Sequence, residues 1–153
     1  MKQSMNFSFK SAEESPGFLL WRLTNLWQQQ QRKALQPLGI THPQFVALAG
    51  ILWLSNQYQQ GPSQNQVAEF THIDKMMMSD LVKTLLQKAL IERYQQETDR
   101  RAYSLHLTKK GHQLTLDAIP LVEGVDATFF TNETQGLSGF LTILNQRMTV
   151  HTL

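Results

Sequence analysis

Cysteine is absent from this 153-residue sequence, and its absence excludes several kinds of chemistry. Without thiols there is no disulfide framework, thiol redox switch, cysteine nucleophile or thiolate ligand for zinc. The segment from Met1 to Lys10 also lacks the apolar stretch of a secretory signal. The longest apolar run, Phe45 to Leu54, is about half as long as a bilayer-spanning helix. We therefore expect a soluble, cytoplasmic protein with no membrane segment.

The sequence is also poor in charge and in catalytic motifs. Charged residues make up 17% of the chain, and the net charge of +2 permits a polyanionic partner without requiring one. No nucleophile elbow, phosphate-binding loop or carboxylate pair is present. The 5 histidines are scattered and lack the spacing of metal ligands. We predict that the protein is not an enzyme and uses neither a metal nor a cofactor.

Hydrophobic periodicity predicts a single, mainly helical domain. Residues 1–15 lack periodicity and are predicted to form a loose arm. The predicted order is four helices, a hairpin of two strands, and two further helices, with Pro120 expected to kink or interrupt the fifth helix. The predicted bounds are 16–38, 42–56, 64–70 and 75–89 for the helices, 91–95 and 103–107 for the strands, and 109–130 and 133–148 for the last helices. Their predicted N-caps include Thr41, Ser63, Asp74 and Thr108.

The short helix 64–70, the turn 71–73, the helix 75–89 and a basic hairpin follow the order of a winged helix-turn-helix. In this motif the second helix enters the major groove of DNA and presents its outward residues to the base edges. The residues predicted to do so are Lys75, Met76, Ser79, Asp80 and Lys83. We expect at least two of the three methionines at positions 76–78 to pack in the core instead.

The segment from Glu97 to Gly111 resembles the wing of the MarR (multiple antibiotic resistance regulator) family. The family pattern is Asp-x-Arg, a hydrophobic strand and then Leu-Thr-x-x-Gly. Upstream, Thr41 to Phe45 is similar to the start of the family's second helix. Leu81 to Leu85, followed by Leu90 to Arg93, is similar to its recognition helix and wing. The resemblance covers about residues 16–150, and the positions that match the wing pattern are Asp99, Arg101, Leu107, Thr108 and Gly111.

A winged helix implies roles for the charged residues of the hairpin. We expect Arg100 to enter the minor groove, where negative potential is concentrated, and Arg101 to shape the wing or contact phosphate. Asp99 is expected to be structural, capping the turn and orienting an arginine. Lys109 and Lys110 lie in the first turn of a predicted helix, and two interpretations of them stay open: phosphate contact, or simple solvation.

Three positions depart from the family pattern. The family usually has glycine where Ala89 stands, since glycine avoids the cost of a left-handed helix end. Family members commonly have a small polar residue where Met77 stands and a basic or neutral residue where Asp80 stands. An acid in the groove repels phosphate but can accept a hydrogen bond from cytosine.

The apolar terminal segments lie outside a compact winged helix and predict a homodimer. We divide the single domain into a DNA-binding lobe (41–111) flanked by dimerisation helices (16–40 and 112–150). Many MarR proteins bind small aromatic acids where these helices meet the lobe. The resemblance makes Trp21, Asn25 and Trp53 candidates for such a site. Trp21, Trp27 and Trp53 lie on apolar helices that we expect to meet, and the simplest interpretation makes them core or dimer-interface residues.

The resulting hypothesis is a ligand-responsive transcriptional regulator that binds a pseudo-palindromic DNA operator, acting as a repressor by blocking promoter access. Its predicted partners are double-stranded DNA, a second copy of the chain and a small aromatic or phenolic effector. Two alternatives stay open. One is a winged-helix protein–protein module that has lost DNA binding, and the other is an aromatic-ligand-binding protein with no genetic role.

Overall fold

The computed structural model describes residues 8–95, 103–130 and 135–150. It confirms the predicted order of helices and strands and the mainly helical winged-helix fold. The two strands pair antiparallel, with Ile91 opposite Leu107. The elements are α1 (Pro16–Leu35), α2 (His42–Ser55), α3 (Gln64–Thr71), α4 (Lys75–Gln87), β1 (Ile91–Gln95), β2 (Tyr103–Leu107), α5 (Lys109–Phe129) and α6 (Gln135–Val150).

The predicted helix starts are built from local hydrogen bonds. The Thr41 hydroxyl accepts from the backbone N–H of Gln44, and the Gln44 side chain accepts in return from the Thr41 N–H. Ser63 and Gln66 form the same reciprocal pair at the start of α3. Because each pair satisfies two backbone N–H groups that a helix start leaves free, the sequence alone locates these boundaries.

Pro120 lies inside α5, which runs without interruption from Lys109 to Phe129. Of the two expected effects of Pro120, the interruption does not occur, and the kink stays a prediction. Proline removes one backbone hydrogen bond. However, Ala118 and Val122 on either side of it are both buried in the core, and tertiary packing of this kind holds a helix together more strongly than local propensity does.

The core surrounds α2, which contacts α3, α4, α5 and β2. Leu48 and Ile51 of α2 are fully buried, as are Met78 and Leu85 of α4. The hairpin is fastened to the loop before α3, where the Leu105 N–H donates to the Pro62 carbonyl at 2.8 Å. Helix α4 and the base of the hairpin therefore pack on the same lobe around α2.

Within the described ranges, no single helix is long and apolar enough to cross a membrane. One bent pair of segments, Pro16–Leu38 with His42–Ser55, reaches the required length and composition only when taken together, and the two are bent by 76°.

Candidate nucleic-acid interface

Helix α4 has a buried side and an exposed side. Met78 and Leu85 are fully buried, and Leu81 and Val82 are buried beside them. The five residues predicted to face DNA all lie on the opposite, exposed side of the helix. They are Lys75, Met76, Ser79, Asp80 and Lys83, and we call this surface the α4 face.

The methionine run divides between the two sides of α4. Met78 is fully buried, whereas Met76 is 78% exposed and Met77 is 44% exposed. The expectation that at least two of the three pack in the core is therefore wrong. Successive helical residues are about 100° apart, so Met77 and Met76 point roughly 100° and 200° around the helix from the buried Met78.

The start of α4 is held by its own carboxylate. One side-chain oxygen of Asp74 accepts from the backbone N–H groups of Met76 (2.8 Å) and Met77 (3.3 Å). Just before it, His72 takes a left-handed conformation (φ 53°) that closes the tight turn from α3. The turn sets α3 against α4, as a helix-turn-helix requires.

The end of α4 passes into the wing through another left-handed residue, Ala89, with φ 53°. Its carbonyl accepts from the Thr108 hydroxyl at 2.8 Å. Gly111 lies so close to the Leu90 backbone that a Cβ at this position would stand 1.8 Å from the Leu90 carbonyl oxygen. The Thr108 and Gly111 positions of the wing pattern thus lock the end of α4 against the start of α5.

The base of the wing carries aromatic and polar contacts. The Ser104 hydroxyl donates to the Tyr94 carbonyl and lies 3.0 Å from Nε2 of His106. The Arg93 guanidinium lies over the Tyr103 ring, 5.0 Å from its centroid. The predicted wing-tip residues Asp99, Arg100 and Arg101 lie outside the described residues.

Both lysines at the start of α5 are exposed, and the Lys110 ammonium donates to the Lys88 carbonyl at 3.0 Å. Sequence reasoning did not single out Lys88. Its ammonium donates to the Gly39 carbonyl (2.8 Å) and to the side-chain oxygen of Gln44 (3.0 Å). No local pattern marks such a residue, because its partners are 44 and 49 positions away.

Only two of the three ligand candidates lie together within one protomer. Trp21 and Asn25 line a groove of about 470 Å³ along α1, and the Asn25 amide donates to the Trp21 carbonyl at 2.7 Å. Trp53 is 63% exposed on α2 and does not line this groove. Among the described residues, the ring of Trp27 packs edge-on against His42 at 4.9 Å and not against Trp21 or Trp53. Helices α1 and α2, which carry the three tryptophans, do pack against each other as expected, although the three indole rings do not.

A partly buried polar cluster joins α1, α2 and α5. Asp126 accepts hydrogen bonds from the Trp27 indole (2.7 Å) and the Gln31 amide (2.9 Å) through the same oxygen. Within the described part of the chain, the side-chain oxygen of Gln31 is buried with no hydrogen-bond partner. Burial lowers the pKa of His42 below its ordinary value of 6.5, although the charge of Asp126 acts to raise it. Across the ranges that the structure describes, no group of three or more His, Asp or Glu side chains could hold a metal ion.

A tight turn between two helices, an exposed polar face on the second helix and an adjoining two-stranded wing define a winged helix-turn-helix DNA-binding protein. The comparisons with known proteins agree. The sequence profile of the MarR family matches residues 40–103. A helix-turn-helix (HTH)-type transcriptional regulator of Bacillus subtilis, YdcH, is 38% identical over 122 residues, covering 80% of this chain and 82% of that protein. The chain belongs to the MarR family of transcriptional regulators.

Solved structures share the fold. CouR of Rhodococcus jostii RHA1, bound to p-coumaroyl-CoA, has a TM-score of 0.77 at 24% identity, covering 92% of this chain and 95% of that one. A complex of S. aureus MepR with DNA has a TM-score of 0.76 at 21% identity, covering 94% of this chain and 100% of that one.

Proposed function

We propose that this protein is a cytoplasmic repressor that binds a pseudo-palindromic DNA operator as a homodimer and releases it in response to a small aromatic effector. The observation that carries the proposal is the α4 face, which is polar and exposed while the other side of the same helix is anchored in the core. In a winged helix-turn-helix, this is the surface that enters the major groove. The protein of S. aureus with the same fold, MepR, binds DNA.

Each part of the lobe has a role in this proposal. The α4 face reads base edges, with Ser79 and Lys83 as hydrogen-bond donors. At the wing, Arg100 enters the minor groove and Arg101 contacts phosphate or shapes the hairpin, oriented by Asp99. Lys109 is exposed and can reach phosphate. Lys110 already donates to the Lys88 carbonyl, so the proposal gives it a structural role first.

The proposed dimer rests on apolar surface that one protomer leaves uncovered on α1, α5 and α6. Exposed apolar patches of this kind mark interaction sites, and a two-fold axis lets the same surface cover itself. The proposal therefore divides the chain into a DNA-binding lobe (41–111) and dimerisation helices (16–40 and 112–150). The large hydrophobic side chains exposed on these helices are Phe18, Leu19, Leu20, Trp21, Leu23, Leu26, Leu116, Leu121, Phe140, Leu141 and Ile143.

The proposed effector site is the groove along α1 that Trp21 and Asn25 line. An indole ring and an amide can stack on an aromatic effector and hydrogen-bond its polar group. CouR, with the same fold, binds p-coumaroyl-CoA. Trp53 would join the site only from a second protomer, because it does not line the groove of its own chain.

The decisive test is binding of the purified protein to the duplex DNA upstream of its own gene at several salt concentrations. We expect affinity to fall steeply with salt, since each neutralised phosphate contributes about 0.9 to the slope of log K against log[salt]. No binding to this DNA, nor to any sequence selected from random duplexes, would refute the proposal.

Variants of the α4 face and the wing distinguish residues that recognise bases from residues that contact phosphate. Ser79→Ala or Lys83→Ala should change which operator sequences are preferred. The double change Arg100→Ala and Arg101→Ala should weaken binding without unfolding the protein, and it should reduce the salt slope by about one unit for each phosphate that is no longer neutralised. Lys10→Ala removes the same charge as Lys83→Ala from the segment before α1 and serves as the control. A uniform loss for Lys83→Ala would make Lys83 a phosphate contact.

One observation favours a second candidate, a protein–protein module that does not bind DNA. Asp80 places a negative charge on the α4 face, where phosphate would be repelled. A protein that dimerises but binds no duplex DNA would support this candidate. If such a protein also binds aromatic acids, an effector-binding protein with no genetic role would be the better description.

A further inference from the structure

Lys88 links the end of the recognition helix to the corner between α1 and α2. It is the C-cap residue of α4, and its ammonium reaches the Gly39 carbonyl at 2.8 Å and the Gln44 side-chain oxygen at 3.0 Å. Gly39 takes a left-handed conformation (φ 66°) where the chain leaves α1 and turns into α2. The side chain therefore spans from the DNA-reading helix to the point at which a proposed dimerisation helix enters the lobe.

The acceptors of this link are held in place. Gln44 is buried, and its side-chain oxygen also accepts from the Thr41 N–H in the capping box of α2. Both acceptors are neutral, so the link depends on directed hydrogen bonds from a charged donor. Such bonds are shorter and stronger than neutral ones.

The end of α4 is also held by hydrogen bonds from the start of α5. The Lys110 ammonium donates to the Lys88 carbonyl, and the Thr108 hydroxyl donates to the Ala89 carbonyl. Thr108 and Lys110 lie at the start of α5, the second proposed dimerisation element. The end of α4 is thus fixed between the two places where the lobe joins the helices 16–40 and 112–150.

Lys88 does not lie on the α4 face. At about 100° per residue, it projects roughly 140° around the helix from Lys83, and its ammonium is occupied at the α1–α2 corner. Removing it therefore takes no donor away from the α4 face.

We infer that Lys88 is a positioning residue for DNA binding: it sets the tilt of α4 relative to the dimerisation helices and so the distance between the two recognition helices of the dimer. The inference rests on the proposed function. In a two-fold dimer, that distance must match the separation of the two half-sites, roughly one helical turn of DNA. A lobe that tilts freely should tolerate more than one separation.

The test uses the full-length protein and an operator that the wild-type protein selects from random duplexes. The two half-sites are then moved apart or together in steps of one base pair. Lys88→Met removes the donor but keeps the aliphatic stem, Lys88→Arg restores a charged donor, and Lys33→Met removes the same charge from an exposed position near the corner. Lys88→Gln replaces Lys88→Met should the latter fold poorly by thermal unfolding.

We expect Lys88→Met to bind the best-spaced operator about tenfold more weakly, close to 1.4 kcal/mol, and to lose less affinity than wild type when the spacing changes. Lys88→Arg should restore the wild-type spacing preference, and Lys33→Met should retain it. An equal loss at every spacing, with the salt slope reduced by about one, would show a phosphate contact and overturn the inference, as would unchanged affinity. Failure of the wild-type protein to select any DNA would instead refute the proposed function.

Discussion

The indole N–H of Trp27 donates to a carboxylate oxygen of Asp126 at 2.7 Å, across 99 positions of sequence. The hydrogen bond joins α1 to the last turn of α5. The same oxygen accepts from Gln31, whose amide also reaches the Val122 carbonyl at 3.4 Å. Two polar side chains of α1 thus depend on one carboxylate of α5, and the proposed dimerisation helices are tied together within each protomer before any partner is added.

Asp126→Ala should lower the free energy of unfolding by about 2 kcal/mol, because it leaves the Trp27 donor without its acceptor in a partly buried site. Equilibrium denaturation in urea measures this loss. Asp117→Ala is the matched control on the same helix: Asp117 is exposed and accepts from Gln113, one turn away, so its loss should cost less than about 0.5 kcal/mol. Equal effects of the two changes would contradict the role of Asp126.

The stability of the protein should fall as the pH is lowered through the ordinary pKa of histidine. Burial lowers the pKa of His42 in the folded state, so the unfolded chain binds the proton more readily. The stabilisation from the neutral ring is therefore complete above a pH of 6.5 and is lost progressively below it.

His42→Phe keeps an aromatic ring beside Trp27 and should flatten the dependence of unfolding free energy on pH between about pH 7 and pH 5. Phe45→Leu, a core change without a titratable group, should lower stability while leaving that dependence as it is in the wild type. The idea fails if His42→Phe leaves the pH dependence unchanged.

Two glycines of α5 should respond to alanine in opposite ways. Gly111→Ala forces a Cβ against the Leu90 carbonyl oxygen, and we expect a loss of more than about 3 kcal/mol or failure to fold. At Gly124, apart from its chain neighbours and the backbone of its own helix, no atom of the described residues lies within 4 Å of the place that a Cβ would take. Gly124→Ala should stabilise the helix by about 1 kcal/mol. Thermal unfolding compares the pair, and a mild effect at Gly111 would argue against the close approach of α5 to the wing.

Ala89 holds a left-handed backbone conformation that glycine would adopt without strain. Ala89→Gly should raise the free energy of unfolding by about 0.5–1 kcal/mol. In urea denaturation, the midpoint concentration should rise, and the slope of unfolding free energy against urea concentration should stay the same. Ala127→Gly, in the last turns of α5, should do the reverse, because glycine lowers helix propensity by about 1 kcal/mol. A destabilised Ala89→Gly protein would mean that the alanine methyl makes a contact worth more than the strain.

Much of the fold was predictable because its signals are local. Thr41 with Gln44, and Ser63 with Gln66, each define a helix start within four residues. The alternation from Tyr103 to Leu107 defines a strand. The order of these elements then indicates the winged helix, and the wing pattern indicates the family.

The features that the sequence did not reveal depend on contacts between distant residues. The rotation of α4 about its own axis decides which two of its methionines stay exposed. Hydrophobic periodicity does not predict that rotation precisely enough to tell neighbouring residues apart. Pro120 is tolerated because both neighbouring turns of α5 are anchored elsewhere. The link from Lys88 to Gly39 and the bond from Trp27 to Asp126 have no sequence pattern at all, since they exist only once the helices have packed.

The charges at the start of the recognition helix cancel, because Asp74 and Asp80 offset Lys75 and Lys83. For a repressor acting as proposed, this has a kinetic consequence. Attraction to arbitrary stretches of the chromosome is electrostatic, and a neutral reading helix adds little to it. Non-specific attraction to unrelated DNA, and sliding along it, would therefore depend on basic residues outside this helix, such as Lys109 and the wing arginines.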